Sequence, residues 1–272
     1  STFMKQKTQT DLLLESARNI HMIGIGGAGM APLAEILHSR GRRLTGSDNN
    51  ESDTLARMRG LGIPVTLGHF PQNIDGAELI VYSAAIMKDN PELLEAAARG
   101  IPAVERSYLL GALTRQFGRV FAVSGTHGKT TVTSMLTHIL LKTGFDPSAV
   151  IGGKLPLIGA NGRAGASDIL VCEACEYVDT FLEMSPDIAV ILNIDNDHME
   201  YFKTMENLVA SFRKFAASAH TVIANGGDAR AMAAAAGLGK TLITFGEGGE
   251  NDYYPRGIGT ADGKTRFALF SK

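Results

Sequence analysis

The sequence predicts an α/β protein in which parallel strands alternate with helices. Short apolar runs alternate with segments of helical periodicity, which is the pattern of a parallel sheet covered by helices on both faces. Two of these runs end in glycine-rich turns, at 24–29 and 125–131, and each turn opens a helix. The composition, with 44% hydrophobic and 20% charged residues, is that of an ordinary globular protein.

The first half of the chain supplies strands and helices in turn. Apolar residues 19–23 predict a strand, residues 24–29 a glycine turn, and residues 30–39 a helix. The elements predicted after them are strand 42–46, strand 64–67, strand 78–82, helix 92–99 closed by Gly100, strand 101–104 and helix 108–116. The chain predicts a Rossmann-like first domain over 1–117.

The first glycine turn has the spacing of a phosphate-binding loop. Residues 24–29 read Gly-Ile-Gly-Gly-Ala-Gly, which is G-x-G-x-x-G, and Asp48 ends the next strand, where an acid suits a ribose hydroxyl. Backbone amides and the helix dipole recognise a pyrophosphate, so the motif predicts a nucleotide-type ligand without specifying a dinucleotide. Ser47 and Ser83 would share this carboxyl edge of the sheet. A purely structural turn is the alternative.

The second glycine turn lies between a predicted strand, 120–123, and a predicted helix, 132–142. It reads Gly-Thr-His-Gly-Lys-Thr-Thr and is a shortened form of the P-loop, because Val123 stands where the longer pattern has glycine. Backbone amides would cradle an anion, Lys129 would add positive charge, and the Thr130 hydroxyl could reach Mg²⁺. A tight turn that happens to hold Lys and Thr is the alternative.

The boundary between two domains is predicted near Phe117 and Gly118. The second domain, 118–272, is predicted to continue with further strands and helices, followed by a hairpin around 261–264. Its predicted strands are 168–172, 188–192, 221–224 and 241–245, and its predicted helices are 205–218 and 228–236.

Acids and a histidine follow two strands of this second domain. Glu173 and Glu176 end one strand, and His198 follows the other, so a divalent cation could bind there beside the one on Thr130. Solvated loop acids and a helix-capping histidine are the alternative. The intervening Cys172 and Cys175 form C-x-x-C, but a zinc site would need a second ligand pair, which the sequence lacks.

Charge and hydropathy exclude several classes of function. The net charge of −2 gives no electrostatic signature of nucleic-acid binding, and no run of 18 apolar residues predicts membrane insertion. Two cysteines and no signal peptide indicate a reducing cytoplasm. Residues 1–7 are polar and unpatterned.

Together these motifs resemble the Mur ligase family of peptidoglycan synthesis. The resemblance spans nearly the whole chain in the family's order, through segments 21–30, 46–48, 82–86, 90–92, 125–131 and 193–198. It implies ATP-dependent amide bond formation in which ATP phosphorylates the muramoyl carboxylate of UDP-N-acetylmuramate. The amino group of L-alanine would then attack the acyl phosphate.

The resemblance also implies roles for individual residues. The ATP-binding residues would be Gly125, Thr126, Gly128, Lys129, Thr130 and Thr131. Catalysis would depend on Lys129, Glu173 and His198, and Mg²⁺ would bind Thr130, Glu173 and His198. The residues implied for the UDP-sugar are Gly26, Gly27, Ala28, Gly29, Met30, Ser47, Asp48, His69, Ser83, Ala84, His127 and Asn193.

The chain departs from the family pattern in two places and in length. Cys175 stands where relatives often have an acid, and Arg106-Ser107-Tyr108 stands where they usually have Arg-Ala-Glu, so no role is carried over there. The family's adenine segment and third domain do not occur before Lys272. We therefore expect an incomplete central domain and a fragment that is inactive alone.

Three alternatives remain open. A ligase that recycles a tripeptide onto the same UDP-N-acetylmuramate acceptor would share this half of the chain. A nicotinamide-dependent oxidoreductase would use the first glycine loop but would leave Lys129 and Thr130 unexplained. A non-catalytic UDP-sugar-binding module is the third alternative. The sequence leaves the oligomeric state open.

Overall fold

The computed structural model describes residues 8–272, and the polar segment 1–7 lies outside them. The helices are α1 (Gln9–Ser16), α2 (Ala31–Ser39), α3 (Asp53–Gly60), α4 (Pro91–Arg99), α5 (Arg106–Thr114), α6 (Lys129–Lys142), α7 (Met199–Phe202), α8 (Met205–Ala217) and α9 (Ala229–Ala235). Two 3-10 helices cover Pro71–Ile74 and Tyr177–Glu183.

The strands confirm the predicted alternation. They are β1 (Asn19–Ile23), β2 (Arg43–Asp48), β3 (Val65–Leu67), β4 (Leu79–Tyr82), β5 (Ala103–Glu105), β6 (Arg119–Ser124), β7 (Ser148–Leu155), β8 (Ala160–Arg163), β9 (Ile169–Glu173), β10 (Ile188–Ile191), β11 (Thr221–Asn225), β12 (Thr241–Phe245), β13 (Tyr253–Ala261) and β14 (Lys264–Ser271).

The first sheet has the order β3-β2-β1-β4-β5, and all its strand pairs are parallel. Ile23 at the end of β1 lies opposite both Ser47 and Tyr82. The glycine turn after β1, the end of β2 and the start of the loop after β4 therefore meet at one edge, as predicted from the sequence.

The second sheet has the order β14-β13-β12-β11-β10-β6-β9-β7-β8. Strands β12, β11, β10 and β6 run parallel, with Ser124 opposite Ile191 at their carboxyl ends. The antiparallel pair β13–β14 is the predicted hairpin, since Ala261 pairs with Lys264. A second antiparallel pair, β7–β8, was not predicted from the sequence.

The chain folds into two compact units. The first unit comprises the residues up to Gly118 together with Ser134–Val171, and the second comprises Arg119–Thr133 and Cys172–Lys272. One division lies at the predicted boundary, but the predicted assignment of 1–117 and 118–272 to two domains stays a prediction.

Local chemistry explains the ends of the helices. Helix α4 starts with Pro91 at its first position, where the missing N–H costs nothing, and the Asn90 side chain accepts a hydrogen bond from Glu92 N. It ends at Gly100, whose φ of +70° is the left-handed conformation that glycine adopts without a steric penalty.

Across residues 8–272, no helix combines the length and apolar character that a membrane crossing requires.

Candidate functional site

The second glycine turn connects β6 to α6, as a phosphate cradle requires. Gly125 has a φ of +147°, and a Cβ atom built on it would lie 2.9 Å from Leu192 Cβ. Gly128 has a φ of +86°. Both positions therefore favour glycine, and α6 begins at Lys129 directly after the turn. The first N–H groups of α6 have no partner within the helix and suit an anion.

The Lys129 side chain folds back over this turn. Its Nζ donates a hydrogen bond of 2.6 Å to Gly125 O and lies 3.8 Å from Glu176 Oε2. The Lys129 side chain is about one-fifth exposed, at 19%. Thr130 and Thr131 are exposed at the start of α6. The cation and the hydroxyl groups of the predicted cradle thus lie at one helix terminus.

The segment after β10 is hydrogen-bonded to the glycine turn at 125–131. The Asn193 side chain accepts from His127 N at 2.8 Å and donates to His127 O at 2.9 Å. The Thr126 hydroxyl accepts from Asp195 N at 2.8 Å. These bonds tie the turn to the neighbouring strand end, so its backbone amides are held in place before a ligand binds.

A cluster of two acids and a histidine lies in the same unit. Glu176, Asp197 and His198 each offer a ligand atom, and these atoms lie within 4.8 Å of one another. Glu176 is buried, with 1% of its side chain exposed, and its Oε1 lies 3.8 Å from His198 Nε2. His198 adopts a φ of +54°, which is rare for a residue with a side chain and is found at functional sites.

Two buried carboxylate oxygens, at the end of β9 and in the segment after it, make no hydrogen bond within residues 8–272. They are Glu176 Oε2 and Glu173 Oε1. An ionised carboxylate that is buried without a partner is costly, and hard oxygen donors are the ligands that Mg²⁺ prefers. The donor set therefore fits a divalent cation.

The first glycine turn is held by backbone and side chain at the edge of the first sheet. Gly24 N and Ile25 N both donate to Ser47 O, at 2.8 and 3.1 Å. Gly26 N donates to Asp48 Oδ2 at 2.9 Å, and a Cβ atom on Gly26 would lie 2.8 Å from that oxygen. Asp48 thus fixes the loop itself, in addition to the ribose contact predicted for it.

Comparison with known families decides the relationship. Residues 19–118 match the domain described as "Mur ligase family, catalytic domain", and residues 123–272 match the domain described as "Mur ligase middle domain". The chain belongs to the Mur ligase family.

The relatives include several proteins named UDP-N-acetylmuramate–L-alanine ligase. That of Caldanaerobacter subterraneus subsp. tengcongensis is 43% identical over 248 residues, which cover 90% of this chain and 54% of the relative. That of Acetivibrio thermocellus is 47% identical over 198 residues, which cover 73% of this chain and 42% of the relative. The chain spans about half the length of the curated relatives it matches.

Solved structures of Mur ligases share the fold. The UDP-N-acetylmuramate–alanine ligase of Thermotoga maritima is 27% identical with a TM-score of 0.80, covering 93% of this chain and 58% of that chain. The UDP-N-acetylmuramate:L-alanyl-gamma-D-glutamyl-meso-diaminopimelate ligase of Neisseria meningitides has the same TM-score of 0.80 at 24% identity, covering 94% of this chain and 85% of that chain. At that identity the second likeness supports the fold alone.

One of the metal ligands that the resemblance implied, His198, belongs to the cluster of acids and histidine, whereas Glu173 does not. Glu176 and Asp197 lie there with His198; the sequence offered Glu176 as a possible ligand, but Asp197 was not named. The roles of Glu173 and Thr130 in a Mur ligase metal site stay predictions. The two cysteines of the C-x-x-C segment differ in exposure: Cys172 is buried and Cys175 is exposed.

The residues predicted to bind the UDP-sugar differ in accessibility. Gly27, Ala28 and Ala84 are exposed or partly exposed, and Ser83 is half-buried. Met30 is 1% exposed, and its N–H donates to Gly27 O at 2.9 Å. A contact from Met30 to a ligand would therefore require the loop to move.

Three other residues predicted to bind the UDP-sugar differ in burial and in hydrogen-bond partners. Ser47 is fully buried, and its hydroxyl donates to the Glu92 carboxylate at 2.8 Å. Asn193 uses its amide on the backbone of His127, as described above, while the His127 side chain is 71% exposed. Ligand contacts by these side chains stay predictions.

Sequence reasoning missed one cation at the first glycine turn. Arg106 Nε donates to Gly29 O at 2.6 Å, and the guanidinium group occupies the space that a Cβ atom on Gly29 would need. The residue lies in the segment to which no role was carried over. Its contact with the turn could be inferred only from its position at the start of α5, next to β5, and that position is known only from the fold.

Proposed function

We propose that this chain holds the acceptor and the ATP of an ATP-dependent ligation that joins L-alanine to UDP-N-acetylmuramate in peptidoglycan precursor synthesis. The observation that carries the proposal is the P-loop cradle with Lys129 and the cluster of Glu176, Asp197 and His198 in one compact unit. The names of the relatives support the choice of substrates.

The chemistry requires positive charge beside the phosphates. A muramoyl carboxylate that attacks the γ-phosphate of ATP meets a polyanion, so the repulsion must be offset before the two can approach. In the proposed reaction Lys129 leaves Gly125 O and turns to the β- and γ-phosphates, while backbone amides of 125–131 hold the other oxygens. The carboxylate oxygen takes the γ-phosphoryl group, which forms an acyl phosphate and releases ADP. The amino group of L-alanine then attacks the acyl carbon and loses a proton, the amide bond forms, and inorganic phosphate leaves.

Glu176, Asp197 and His198 would hold Mg²⁺, with Thr130 and Glu173 as further predicted ligands. When bound, the ion neutralises charge on phosphate and carboxylate oxygens. Glu176 meanwhile contributes a buried negative charge that keeps the Lys129 ammonium near the cradle, since the two groups are 3.8 Å apart. We propose a cytoplasmic location, in keeping with the indication from the two cysteines.

In the first unit, the turn at 24–29 would bind the UDP pyrophosphate at the start of α2 through the amides of Ala28 and Gly29, since those of Gly24, Ile25 and Gly26 already donate to Ser47 and Asp48. Gly27 and Ala28 expose their backbone at this turn, and Asp48 and Arg106 fix the turn from two sides. Fixed amide groups bind an anion with less loss of conformational entropy than mobile ones, which is the physical advantage of this bracing.

Calorimetric titration tests the proposal against its rivals. UDP-N-acetylmuramate should bind with a Kd at least tenfold below that of NAD⁺, and the ATP analogue AMPPNP should bind only with Mg²⁺. Binding of NAD⁺ but not of UDP-N-acetylmuramate would favour an oxidoreductase. Binding of the UDP-sugar without any binding of AMPPNP would favour a non-catalytic module.

A further inference from the structure

A buried carboxylate stands at the centre of a hydrogen-bond network beneath the first glycine turn. Glu92, fully buried at the start of α4, accepts from the Ser47 hydroxyl at 2.9 and 2.8 Å through its two oxygens. Its Oε2 lies 2.6 Å from His69 Nδ1, and its Oε1 is hydrogen-bonded to His21 Nε2. His21 Nδ1 is in turn 2.7 Å from the Thr45 hydroxyl.

The chemistry of these partners indicates that Glu92 is ionised. Burial alone would raise the pKa of Glu92, but the hydrogen bonds from His21, Ser47 and His69 lower it below its ordinary value. Glu92 is also the second residue of α4, where the positive end of the helix dipole favours a negative charge. A carboxylate accepts only, so the groups facing it must donate.

This assignment fixes the proton on His69. Since an ionised carboxylate can only accept, Nδ1 must carry a proton, and Nδ1 also lies 3.0 Å from Ser47 Oγ. In the Nδ1–H tautomer, Nε2 is an acceptor. Among the network members, His21 is 1% exposed and Glu92 is 0% exposed, whereas His69 is 12% exposed. Thr45 is also partly exposed, but it does not contact Glu92; of the side chains that contact Glu92 directly, His69 is the one that reaches the surface.

The network also supports the glycine turn directly. The Ser47 hydroxyl is bound to Glu92, and the Ser47 carbonyl accepts from Gly24 N and Ile25 N. His69 follows β3, whose residue Thr66 pairs with Ser47, so it lies at the same carboxyl edge of the first sheet as the turn. One carboxylate thus holds both a side chain and the backbone beneath the predicted ligand.

We propose that Glu92 is a positioning residue of the UDP-sugar site: it holds Ser47 under the glycine turn and fixes His69 as the Nδ1–H tautomer, so that His69 Nε2 accepts a hydrogen bond from a nucleoside N–H or O–H group. The inference rests on the proposed function of the first unit. It assigns a role to the Asn90-Pro91-Glu92 segment, which neither the ligand contacts nor the catalytic residues explain.

The variant Glu92→Gln separates this role from a purely structural one. The glutamine amide keeps the size of the carboxylate but has one acceptor oxygen instead of two, so it can no longer accept from His21, Ser47 and His69 at once, and the tautomer of His69 is no longer fixed. The matched control is Glu95→Gln on the same helix, because the Glu95 side chain is 32% exposed and pairs with Arg99 at the surface.

The experiment combines nitrogen-15 NMR of histidine-labelled protein with calorimetry of UDP-N-acetylmuramate. We expect a proton on Nδ1 and none on Nε2 of His69 in the wild-type protein, a larger share of the Nε2–H tautomer in Glu92→Gln, and a Kd raised at least tenfold in that variant but less than twofold in Glu95→Gln. A wild-type His69 that carries a proton on Nε2, as the other tautomer or as an imidazolium, would overturn the proposal without requiring any variant to fold.

The outcomes also separate this proposal from the proposed function. If the wild-type protein does not bind UDP-N-acetylmuramate, the function assigned to the first unit is wrong. If the wild-type protein binds and the folded Glu92→Gln protein binds equally well, only the positioning role is wrong. His69→Asn gives a second test, since it should weaken binding to a similar degree while leaving Glu92 in place.

Discussion

Glu176 has the most unusual environment of the acids at the second strand edge. It is buried, one of its oxygens makes no hydrogen bond within residues 8–272, and both Lys129 and His198 lie 3.8 Å away. A buried charge in such a setting is expected to bind a cation when one is present. Three residues in the segments around this cluster, Val178, Asp179 and His198, have positive φ values of 52°, 56° and 54°.

Glu176→Gln should weaken Mn²⁺ binding at least tenfold, because the amide removes the only fully buried negative charge of the cluster formed with Asp197 and His198. Electron paramagnetic resonance of free Mn²⁺ measures this without any turnover. The control variant Glu206→Gln removes an exposed charge from α8 and should leave the affinity unchanged. Equal affinities of the wild-type protein and Glu176→Gln would place the metal elsewhere.

The backbone of Gly125 makes a second residue-scale prediction. Gly125→Ala should lower the free energy of unfolding by about 1–3 kcal/mol, since the new Cβ atom would meet Leu192 Cβ at 2.9 Å in a conformation that L-residues avoid. Gly144→Ala is the control, because Gly144 also has a positive φ but open space around it. Urea denaturation of both variants should show the larger loss in Gly125→Ala.

The sequence alone was sufficient to predict those site residues that lie close together along the chain. The stretch 125–131 could be assigned because a strand, a turn and a helix follow each other within a few residues. The partners of His198 could not be assigned in the same way, because two loops with unusual backbone angles bring Glu176 and Asp197 to it. Likewise, only the fold shows that Ser47 faces Glu92 rather than solvent.

At the scale of elements, α1 is held by side chains rather than by helix propensity. It has only eight residues, starts with a capping box between Thr8 and Asp11, and is tied to the end of α5 by Arg115 Nε, which lies 2.8 Å from Asp11 Oδ1. Burial would raise the pKa of Asp11, but the hydrogen bonds from Arg115 and Thr8 lower it overall.

Asp11→Asn should therefore destabilise the protein in a pH-dependent manner. A carboxylate with a lowered folded-state pKa stabilises fully above its unfolded pKa of about 3.9, and this stabilisation is lost as the pH falls through the lower folded value. We expect a loss of about 1–3 kcal/mol at pH 7 that shrinks below about pH 4. Urea titrations at several pH values check this, with the exposed Asp89→Asn as control. A pH-independent difference would contradict the assignment.

Most strands and helices were predicted from the sequence, including the short strands β3 and β5, whereas β7, β8, α1, α3 and α7 were not. The prediction missed β7 and β8 because their segments contain Gly152, Gly153 and Gly162, which are typical of loops. It missed α1 and α3 because each buries only two residues, Asp11 and Leu14 in α1 and Leu55 and Met58 in α3, which is too few for a helical period to stand out. Antiparallel pairing of β7 with β8 supplies the backbone hydrogen bonds that propensity alone did not indicate.

At the scale of the whole molecule, the two glycine turns follow strands of two different sheets and lie in different compact units. A ligand that binds only the folded protein stabilises it by mass action, by about 2.7 kcal/mol at a hundredfold excess over Kd. Saturating UDP-N-acetylmuramate should accordingly raise the melting temperature. A melting curve that does not move under saturating UDP-sugar would contradict binding to the native state.

The central claim is that the turn at 24–29 binds the UDP-sugar and the turn at 125–131 binds ATP. The most direct test is calorimetry of both ligands, UDP-N-acetylmuramate and Mg²⁺-AMPPNP, with the wild-type protein, Lys129→Ala and the control Lys142→Ala at the far end of α6. Lys129→Ala removes a cation from the phosphate cradle, so we expect the AMPPNP affinity to fall at least tenfold, the UDP-N-acetylmuramate affinity to stay within twofold, and Lys142→Ala to change neither. Loss of UDP-N-acetylmuramate binding in a folded Lys129→Ala protein, with AMPPNP binding retained, would contradict the account.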